Sequence, residues 1–397
     1  MRQYLKYVLI IATYGLLAYL SITATPPVDA LSNDAQAFFD ASKSPFTASQ
    51  FIDLGYPVVI SFMSKILGTS NIYFLQIANY IFWIISTYLV YQSLEVVGSK
   101  RAKWISMLML FSPLFITFSA KLYSEPLAAL GVSLLLFGHL RASKSSLALG
   151  SVITITTKSL FFPGIILLLL YYLYKKMYKL ALPVGIALIL LIPYILSSLG
   201  AGRSLYNLAI ERAKLDHSYD QILSCAPYYL SYPLGQKLLP NYEGICRQND
   251  ITSNLPGSEL NPYKVAYKIR EEGFTYSDWF SSAISHPFKY ILVFIVGLFN
   301  LVLFEGIYPS ILLQLPGMLV LVGFLACKVF LNIYLWHRVY LAGKHHFLLL
   351  MPLIYLVLTV GHFQVEPRYI YPLVPYIYFL VGIPLKTTST GKSDNHQ

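Results

Sequence analysis

The residues best suited to chemistry are acids crowded into one short stretch near the N-terminus, residues 26–57. The stretch holds Asp29, Asp34, Asp40 and Asp53, whereas the whole chain of 397 residues has only 18 Asp and Glu. It lies between two apolar segments, so we expect its carboxylates at a membrane edge, where a charge is costly without a role or a cation. Two interpretations are open: a catalytic base or metal ligand at the mouth of a membrane cavity, and a solvated interfacial loop.

Acids and cations recur together at two later places. The first comprises Lys121, Glu125 and, further along the chain, Lys158; the second is the run Glu366-Pro367-Arg368-Tyr369. A carboxylate can take a proton from an acceptor hydroxyl, and Lys or Arg can stabilise a departing phosphate as its charge develops. If that phosphate is attached to a lipid, it lies at the membrane surface, which explains why these acids and cations would be placed there.

Each of these residues also has a structural interpretation. Lys121 and Arg368 would then snorkel at helix ends, and Glu125 would be an N-terminal acid favoured by the helix dipole. Lys158 differs because it interrupts an apolar run, which favours a functional role.

The composition indicates an all-α polytopic membrane protein. Residues are 56% hydrophobic and 12% charged, and the mean hydropathy is +0.59, which is unlike a soluble protein of this length. The net charge is +11, but the basic residues fall in short clusters between apolar runs. They therefore indicate topology and predict membrane lipids, and not nucleic acid, as partners.

The first segments follow a regular order along the chain. Residues 7–24 are compatible with a cleaved signal peptide, but the many later spans favour an uncleaved first helix with its N-terminus inside, so that residues 26–57 lie outside. Residues 57–68 are too short to span and predict an interfacial helix. Further spans are predicted at about 71–94, 104–120, Pro126 to His139 and 180–198, with two short segments meeting at an outer turn near Lys158.

The sequence divides into four parts. They are an N-terminal transmembrane module (1–198) with a catalytic first outer loop (26–70), an extracytoplasmic insertion (199–288), C-terminal transmembrane helices (289–386) and a cytoplasmic tail (387–397). The insertion is rich in Tyr, Asn, Asp, Gly and Pro, and it contains Arg203. Its Cys225 and Cys246 either form a disulfide outside the cytosol or remain two thiols.

The topology of the C-terminal part stays open. Apolar segments lie at 289–305, 309–334, 347–361 and 369–385. An outer insertion and an inner loop from Arg338 to His346 require an odd number of crossings between them, yet two segments are present. Three explanations remain open. The 309–334 segment crosses the membrane twice with a break, or the insertion contains one more crossing segment, or one of the two ends is assigned to the wrong side of the membrane.

The order of these motifs resembles the GT-C class of membrane glycosyltransferases, in particular bacterial relatives of protein O-mannosyltransferases and the lipid A aminoarabinose transferase. The matching runs are Asn33-Asp34-Ala35-Gln36-Ala37-Phe38-Phe39, Gly55-Tyr56-Pro57, Ser124-Glu125-Pro126, a Gly-rich turn from Leu149-Gly150 to Thr157-Lys158-Ser159, and the run from Glu366 to Pro375. The usual acidic pair at the loop start is Asn33-Asp34 here, so a second acid is expected from Asp29, Asp40 or elsewhere.

The resemblance implies a GT-C-like bundle of about 10–12 transmembrane helices with interfacial helices in the first outer loop. Asp34 would be the base that lets an acceptor hydroxyl attack the sugar C1 with inversion, and Glu125 a second catalytic group. The donor would be a polyprenyl-phosphate-linked monosaccharide, and the acceptor an extracytoplasmic glycan, lipid or protein at the inner membrane of the cell. The implied substrate-binding residues are Asp29, Tyr56, Lys121, Lys158, Arg203, Glu366, Arg368 and Tyr369. Some relatives use a divalent cation, so Mg²⁺ or Mn²⁺ is a candidate cofactor.

Two other functions are compatible with a polytopic chain. A lipid-linked glycan flippase or transporter would be expected to show internal repeats and charges near mid-span, and neither is evident. An O-antigen-type polymerase would be expected to carry Arg-rich chemistry in two outer loops, whereas here the acid lies in the first loop.

Overall fold

The computed structural model of the chain describes residues 2–31, 34–45, 53–68, 71–200 and 367–384, with short pieces between 284 and 355. Every regular element in these ranges is helical and no strand occurs in them, which confirms the all-α fold class. Most of the insertion, most of the segments at 289–305, 309–334 and 347–361, and the whole tail lie outside the described residues.

The helices follow one another with short connections. They are α1 (Arg2–Thr23), α2 (Pro27–Ala30), α3 (Asp34–Lys43), α4 (Gly55–Leu67), α5 (Ile72–Val96), α6 (Ala102–Leu110), α7 (Pro113–Ser119), α8 (Glu125–Leu140) and α9 (Lys144–Thr157). A 3-10 helix η1 (Ser159–Phe161) leads into α10 (Phe162–Tyr174) and α11 (Tyr178–Gly200), and the C-terminal part contributes η2 (Pro367–Leu373) and α12 (Val374–Gly382).

Several helix boundaries were predicted correctly. Pro126 occupies the first turn of α8, where a missing N–H costs nothing. The apolar run around Lys158 consists of two segments, because Lys158 adopts an extended backbone (φ −145°, ψ 93°) between α9 and η1. The first loop contains the helices α2 and α3, and α4 forms where an interfacial helix was expected.

Two predictions were wrong in detail. The segment expected as one span at about 104–120 is two helices, because Pro113 disfavours a helical backbone at Ser112, which is extended (φ −61°, ψ 119°). The expected Gly-rich turn from Leu149 to Lys158 is mostly the second half of α9. Gly150 therefore serves helix packing and not a turn.

The helices form a bundle with two distinct ends. The Ser21 hydroxyl donates to the Ile116 carbonyl (3.1 Å) near the ends of α1 and α7. Asn79 of α5 donates to the Lys121 carbonyl just before α8 (2.8 Å). We call this the polar end: α1, α7, α9 and α11 finish there, and α5, α8 and α10 begin there.

The opposite end is the basic end, which carries the turns at 97–101, 141–143 and 175–177. The cations in and beside these turns are exposed: Lys100, Arg101, Lys103, Arg141, Lys144, Lys175, Lys176 and Lys179. The Ser99 hydroxyl donates to the Gly382 carbonyl (2.6 Å), and the buried Arg338 donates to the Leu380 and Ile383 carbonyls (2.9 and 2.6 Å). Arg338 therefore lies at the same end as Lys100, as the predicted topology requires.

The α8–α9 hairpin is the most closely packed part of the bundle. A Cβ atom added at Gly150 of α9 would lie 2.9 Å from the Gly131 carbonyl oxygen and 2.9 Å from the Leu135 backbone nitrogen of α8. A Cβ at Gly131 would lie 2.5 Å from the Thr154 hydroxyl, and one at Gly138 would lie 2.9 Å from Leu147. The two backbones approach this closely because these positions have no side chain.

One described helix, α5, is long and apolar enough by length and composition to cross a membrane. It has 25 residues, and half of its most apolar window is buried inside the protein. Six shorter apolar helices accompany it, among them parts of α1, α8 and α11. On its own, a single helix of this kind is weak evidence for a membrane protein.

Candidate active site

A buried ion pair occupies the polar end. The Lys158 ammonium lies 3.1 Å from Oε1 of Glu125, whose side chain is 2% exposed, while that of Lys158 is 14% exposed. Glu125 is the first residue of α8 and Lys158 follows the last residue of α9, so the antiparallel hairpin brings them together. Both residues were predicted from the sequence, but there Glu125 was grouped first with Lys121.

The ion pair involves only one of the two carboxylate oxygens of Glu125. Its second oxygen, Oε2, is buried and has no hydrogen-bond partner among the described residues. The hydroxyl of the preceding residue, Ser124, is also buried and lacks a described partner. Buried polar atoms are normally satisfied, so unpaired acceptors beside a cation are typical of a place where a further polar group binds.

A chain of hydrogen bonds runs beside the ion pair. The buried Tyr56 hydroxyl donates to Oδ1 of Asn79 (3.0 Å), and Nδ2 of Asn79 donates to the Lys121 carbonyl (2.8 Å). Burial raises the pKa of the Tyr56 hydroxyl, and the carboxylate of Glu125 raises it further. Tyr56 therefore stays protonated. The series of hydrogen bonds fixes the position of the backbone just before Glu125.

This series of hydrogen bonds predicts how much stability the protein loses when the Asn79 side chain is removed. In the Asn79→Ala variant the Tyr56 hydroxyl and the Lys121 carbonyl lose their buried partner, so we expect a loss of about 2–4 kcal/mol in unfolding free energy. Asn71→Ala, which removes the N-cap acceptor of the same helix, should cost only about 1 kcal/mol. Denaturant unfolding in detergent measures both, and equal costs would contradict the assignment.

A second carboxylate, Asp53, lies at the start of α4. The Ser159 backbone N–H donates to Oδ2 of Asp53 (3.3 Å) and the Tyr194 hydroxyl donates to Oδ1 (3.5 Å). Gly55 permits this approach, because a Cβ there would lie 2.5 Å from the Thr156 hydroxyl. Asp53 thus joins the first loop to the residue after Lys158 and to α11.

The first loop is also tied to the turn before α8. The Leu122 backbone N–H donates to the Ala30 carbonyl (3.1 Å), and Gln76 donates to the Thr25 and Ala120 carbonyls (3.1 and 2.6 Å). Asp29, next to Ala30, is exposed. These bonds hold the beginning of the loop at the polar end, close to the chain segment that carries Glu125.

Asp34 begins α3, and only its backbone is described. The next residue, Ala35, is fully buried in an apolar cluster together with Tyr56 and Leu127. Phe38 of the same helix packs edge-on against Tyr56, with ring centroids 5.6 Å apart. The backbone of Asp34 therefore lies on the element that covers Tyr56, whereas the direction of its carboxylate lies outside what is described.

Asp40, a candidate second acid of the same helix, is already engaged. It accepts hydrogen bonds from Gln36 (2.8 Å) and Lys43 (2.7 Å) at an exposed position. The hydrogen bond from Gln36, followed by that from Lys43, lowers the pKa of the Asp40 carboxyl. A lowered pKa makes a carboxylate a weaker base, so Asp40 suits a catalytic role poorly.

Of the remaining predicted site residues, only Lys121 has a described side chain. The Lys121 ammonium lies over the Tyr123 ring, 5.6 Å from its centroid. Arg368 and Tyr369 belong to η2, which packs against α8, but their side chains are not described. Tyr371 of η2 donates to the Phe115 carbonyl (3.1 Å) and contacts the Ser119 hydroxyl (3.3 Å). Arg203, Glu366, Cys225 and Cys246 lie outside the described residues.

Sequence reasoning assigned no role to Asp53 or Asn79. Asp53 was counted among the four acids, and its position two residues before Gly55-Tyr56 was the available signal. Asn79 gave no signal, because a single amide within an apolar span is common at helix contacts.

The described residues do not form a site for a divalent cation. Within the described ranges, no three side chains of His, Cys, Asp or Glu converge closely enough to hold a metal ion. Instead, the carboxylate of Glu125 contacts the ammonium of Lys158.

The helical bundle and its buried ion pair define the protein as an all-α protein with a charged site at one end. Comparison of the chain with models of known protein families, with curated proteins and with solved structures gave no match in any of the three.

Proposed function

We propose that the chain is a polytopic membrane glycosyltransferase that moves a monosaccharide from a polyprenyl-phosphate donor to an extracytoplasmic glycan, lipid or protein. The observation that carries the proposal is the buried pair of Glu125 and Lys158 at the end of the bundle where the acid-rich first loop is attached. A carboxylate-bearing loop beside a buried ammonium suits proton abstraction at one partner and phosphate departure at the other.

The outward faces of the helices support a membrane location. Large apolar side chains are exposed along three helices: Leu9, Ile11 and Leu16 of α1, Ile81, Ile84 and Tyr88 of α5, and Leu182, Ile189 and Leu190 of α11. Contiguous apolar surfaces of this kind are unfavourable in water and favourable in lipid. On α4, Phe62 and Ile66 are exposed beside Lys65, which suits a helix lying in the interface.

The charge asymmetry supports an orientation. The exposed cations of the basic end match the Lys and Arg excess of cytoplasmic loops. Under this orientation the polar end, with Glu125, Lys158 and the first loop, faces the outside of the inner membrane. The basic end would contact anionic lipid headgroups.

In the proposed reaction, Asp34 takes the proton from the acceptor hydroxyl. The hydroxyl oxygen forms a bond to the sugar C1 with inversion, while the bond from C1 to the phosphate oxygen breaks and its electron pair leaves with the lipid phosphate. Lys158 stabilises the charge on that phosphate, and Arg368 and Lys121 are further candidates for the same task. A transporter is less well supported, because the described acid and cation lie at helix ends and not at mid-span.

The Asp34→Asn variant tests the assigned base. Membranes containing the variant should transfer labelled sugar from polyprenyl-phosphate donors at least about 100-fold more slowly than wild type, because the acceptor hydroxyl keeps its proton. Glu95→Gln, which alters an exposed acid bonded to Tyr91 at the basic end, is the control and should transfer at the wild-type rate. Full activity of Asp34→Asn would remove Asp34 as the base.

A further inference from the structure

The Glu125–Lys158 pair raises a question about charge that the proposed function leaves open. The pair is nearly neutral and buried, with the glutamate 2% exposed. A donor phosphodiester carries one negative charge. The ammonium of Lys158 has three N–H donors, but its single positive charge cannot neutralise both the carboxylate of Glu125 and the phosphodiester, so the three groups together would carry a net charge of −1. A carboxylate left buried without its cation is strongly unfavourable.

We propose that Lys158 exchanges partners when the donor binds: its ammonium passes from Glu125 to the donor phosphodiester, and Glu125 takes up one proton from solvent. This inference rests on the proposed function. The charges balance. Before binding, the ammonium of Lys158 is neutralised by the carboxylate of Glu125. After binding, the ammonium is neutralised by the phosphodiester anion, and the added proton makes Glu125 a neutral carboxylic acid. No covalent bond other than the O–H of Glu125 is formed.

The surroundings of Glu125 favour proton uptake over an unpaired charge. Lys158 approaches from α9, while the neighbouring titratable groups are the phenols Tyr56 of α4 and Tyr371 of η2. From α5 the neutral amides Gln76 and Asn79 reach the same region. Asp53, which accepts a hydrogen bond from the backbone N–H of Ser159, is a further acid near Lys158 in the chain. None of these groups supplies a second positive charge.

The unpaired atoms at the start of α8 fit this exchange. Oε2 of Glu125 and the Ser124 hydroxyl are buried without described partners. Protonated Glu125 gains an O–H donor, and the Ser124 hydroxyl can donate to a phosphate oxygen. Both groups can therefore form hydrogen bonds when the anion is bound. Neutral glycans offer no charge to Lys158, so the exchange selects for an anionic donor.

The exchange makes donor binding dependent on pH. Because one proton binds together with the anion, the affinity for the anion falls as pH rises, by up to about tenfold per pH unit. A lysine that held the phosphate without involving Glu125 would show no such dependence near neutral pH.

Isothermal titration calorimetry of the full chain in detergent tests the inference. The probe is farnesyl methyl phosphate, a phosphodiester whose single charge does not titrate near neutral pH. Titrations in two buffers with different ionisation enthalpies should show uptake of about one proton per bound probe in the wild type and in Glu95→Gln. Glu125→Gln should bind the probe without uptake, and Lys158→Met should lose binding. Infrared difference spectra of the wild type should gain a band of a protonated carboxylic acid on binding.

The outcomes separate the inference from the proposed function. Binding to the wild type without proton uptake and without the carboxylic acid band overturns the exchange but leaves a phosphate-binding site in place. Uptake in Glu125→Gln equal to that in the wild type also overturns it, because another group then takes the proton. Failure of the wild type to bind the probe at all overturns both the exchange and the donor class assigned to the site.

Discussion

Replacing Lys158 by methionine should both destabilise the protein and abolish the proposed sugar transfer. The substitution leaves the carboxylate of Glu125, which is 2% exposed, without its cation. Breaking a buried ion pair by removing one partner typically costs about 3–5 kcal/mol. Loss of a group that stabilises charge in the transition state lowers the rate by about 100-fold or more. Thermal unfolding in detergent and transfer of labelled sugar measure the two effects.

The double variant Glu125→Gln with Lys158→Met separates stability from function. With both charges gone no uncompensated buried charge remains, so most of the lost stability should return. Sugar transfer should stay absent, because the double variant still lacks Lys158, the cation that is proposed to stabilise the departing phosphate. Recovery of transfer in the double variant would show that the pair serves structure alone.

Lys121→Met is the matched control for stability. The Lys121 ammonium is half-buried and lies over the Tyr123 ring without a described carboxylate partner. Its removal should cost no more than about 1 kcal/mol, the size of an exposed cation–π contact. A cost as large as that of Lys158→Met would mean that loss of any lysine at this end destabilises the bundle.

The sequence was sufficient to predict two helix boundaries at the site. Pro126 and the cations that interrupt apolar runs predicted the start of α8 and the break at Lys158, and both are observed. The break at Ser112 was not predicted, although Pro113 marks it. Apolar residues lie on both sides of this break, so hydropathy along the sequence does not reveal it.

The partners within the site could not be predicted in the same way. Lys121, Glu125 and Lys158 were all expected at one face, but which carboxylate meets which ammonium depends on the rotation of α8 against α9. Small differences in helix rotation move side chains several ångströms, and sequence spacing along one helix does not constrain rotation between two. Here the rotation is set by three glycines whose role was not recognised, since Gly150 was assigned to a turn.

The role of Asp53 was hidden for a related reason. Its partners Ser159 and Tyr194 are 106 and 141 residues away in sequence. The direction of the Asp34 carboxylate remains a prediction, because the structure describes only the backbone of that residue. The Asp34→Asn transfer experiment is therefore the direct test of the base, whereas variants of Glu125 and Lys158 test the cation site.

The packing of the α8–α9 hairpin leads to the second large expected effect. In Gly150→Ala the new methyl group would lie 2.9 Å from both the Gly131 carbonyl oxygen and the Leu135 backbone nitrogen. Backbone atoms of a helix cannot rotate away as a side chain can, so the two helices must separate. Over-packing of this kind typically costs about 1–3 kcal/mol. The midpoint of thermal unfolding should fall accordingly.

The same separation should reach the ion pair. Gly150 is about 12 Å from Lys158 along α9, at 1.5 Å per residue, and the contact between Lys158 and Glu125 is 3.1 Å. A shift of about 1 Å breaks that contact, and a misplacement of this size can lower a rate by about 100-fold. We therefore expect Gly150→Ala to lose most of its sugar transfer while Glu125 and Lys158 are both still present.

Gly15→Ala is the matched control for this effect. Gly15 lies within α1, and a Cβ added there has no neighbour within 4 Å. Because alanine favours helix over glycine, this variant should be equally stable or more stable by up to about 1 kcal/mol. If Gly150→Ala and Gly15→Ala unfolded at the same temperature and transferred sugar equally, the close approach of α8 and α9 would not be what holds Glu125 against Lys158.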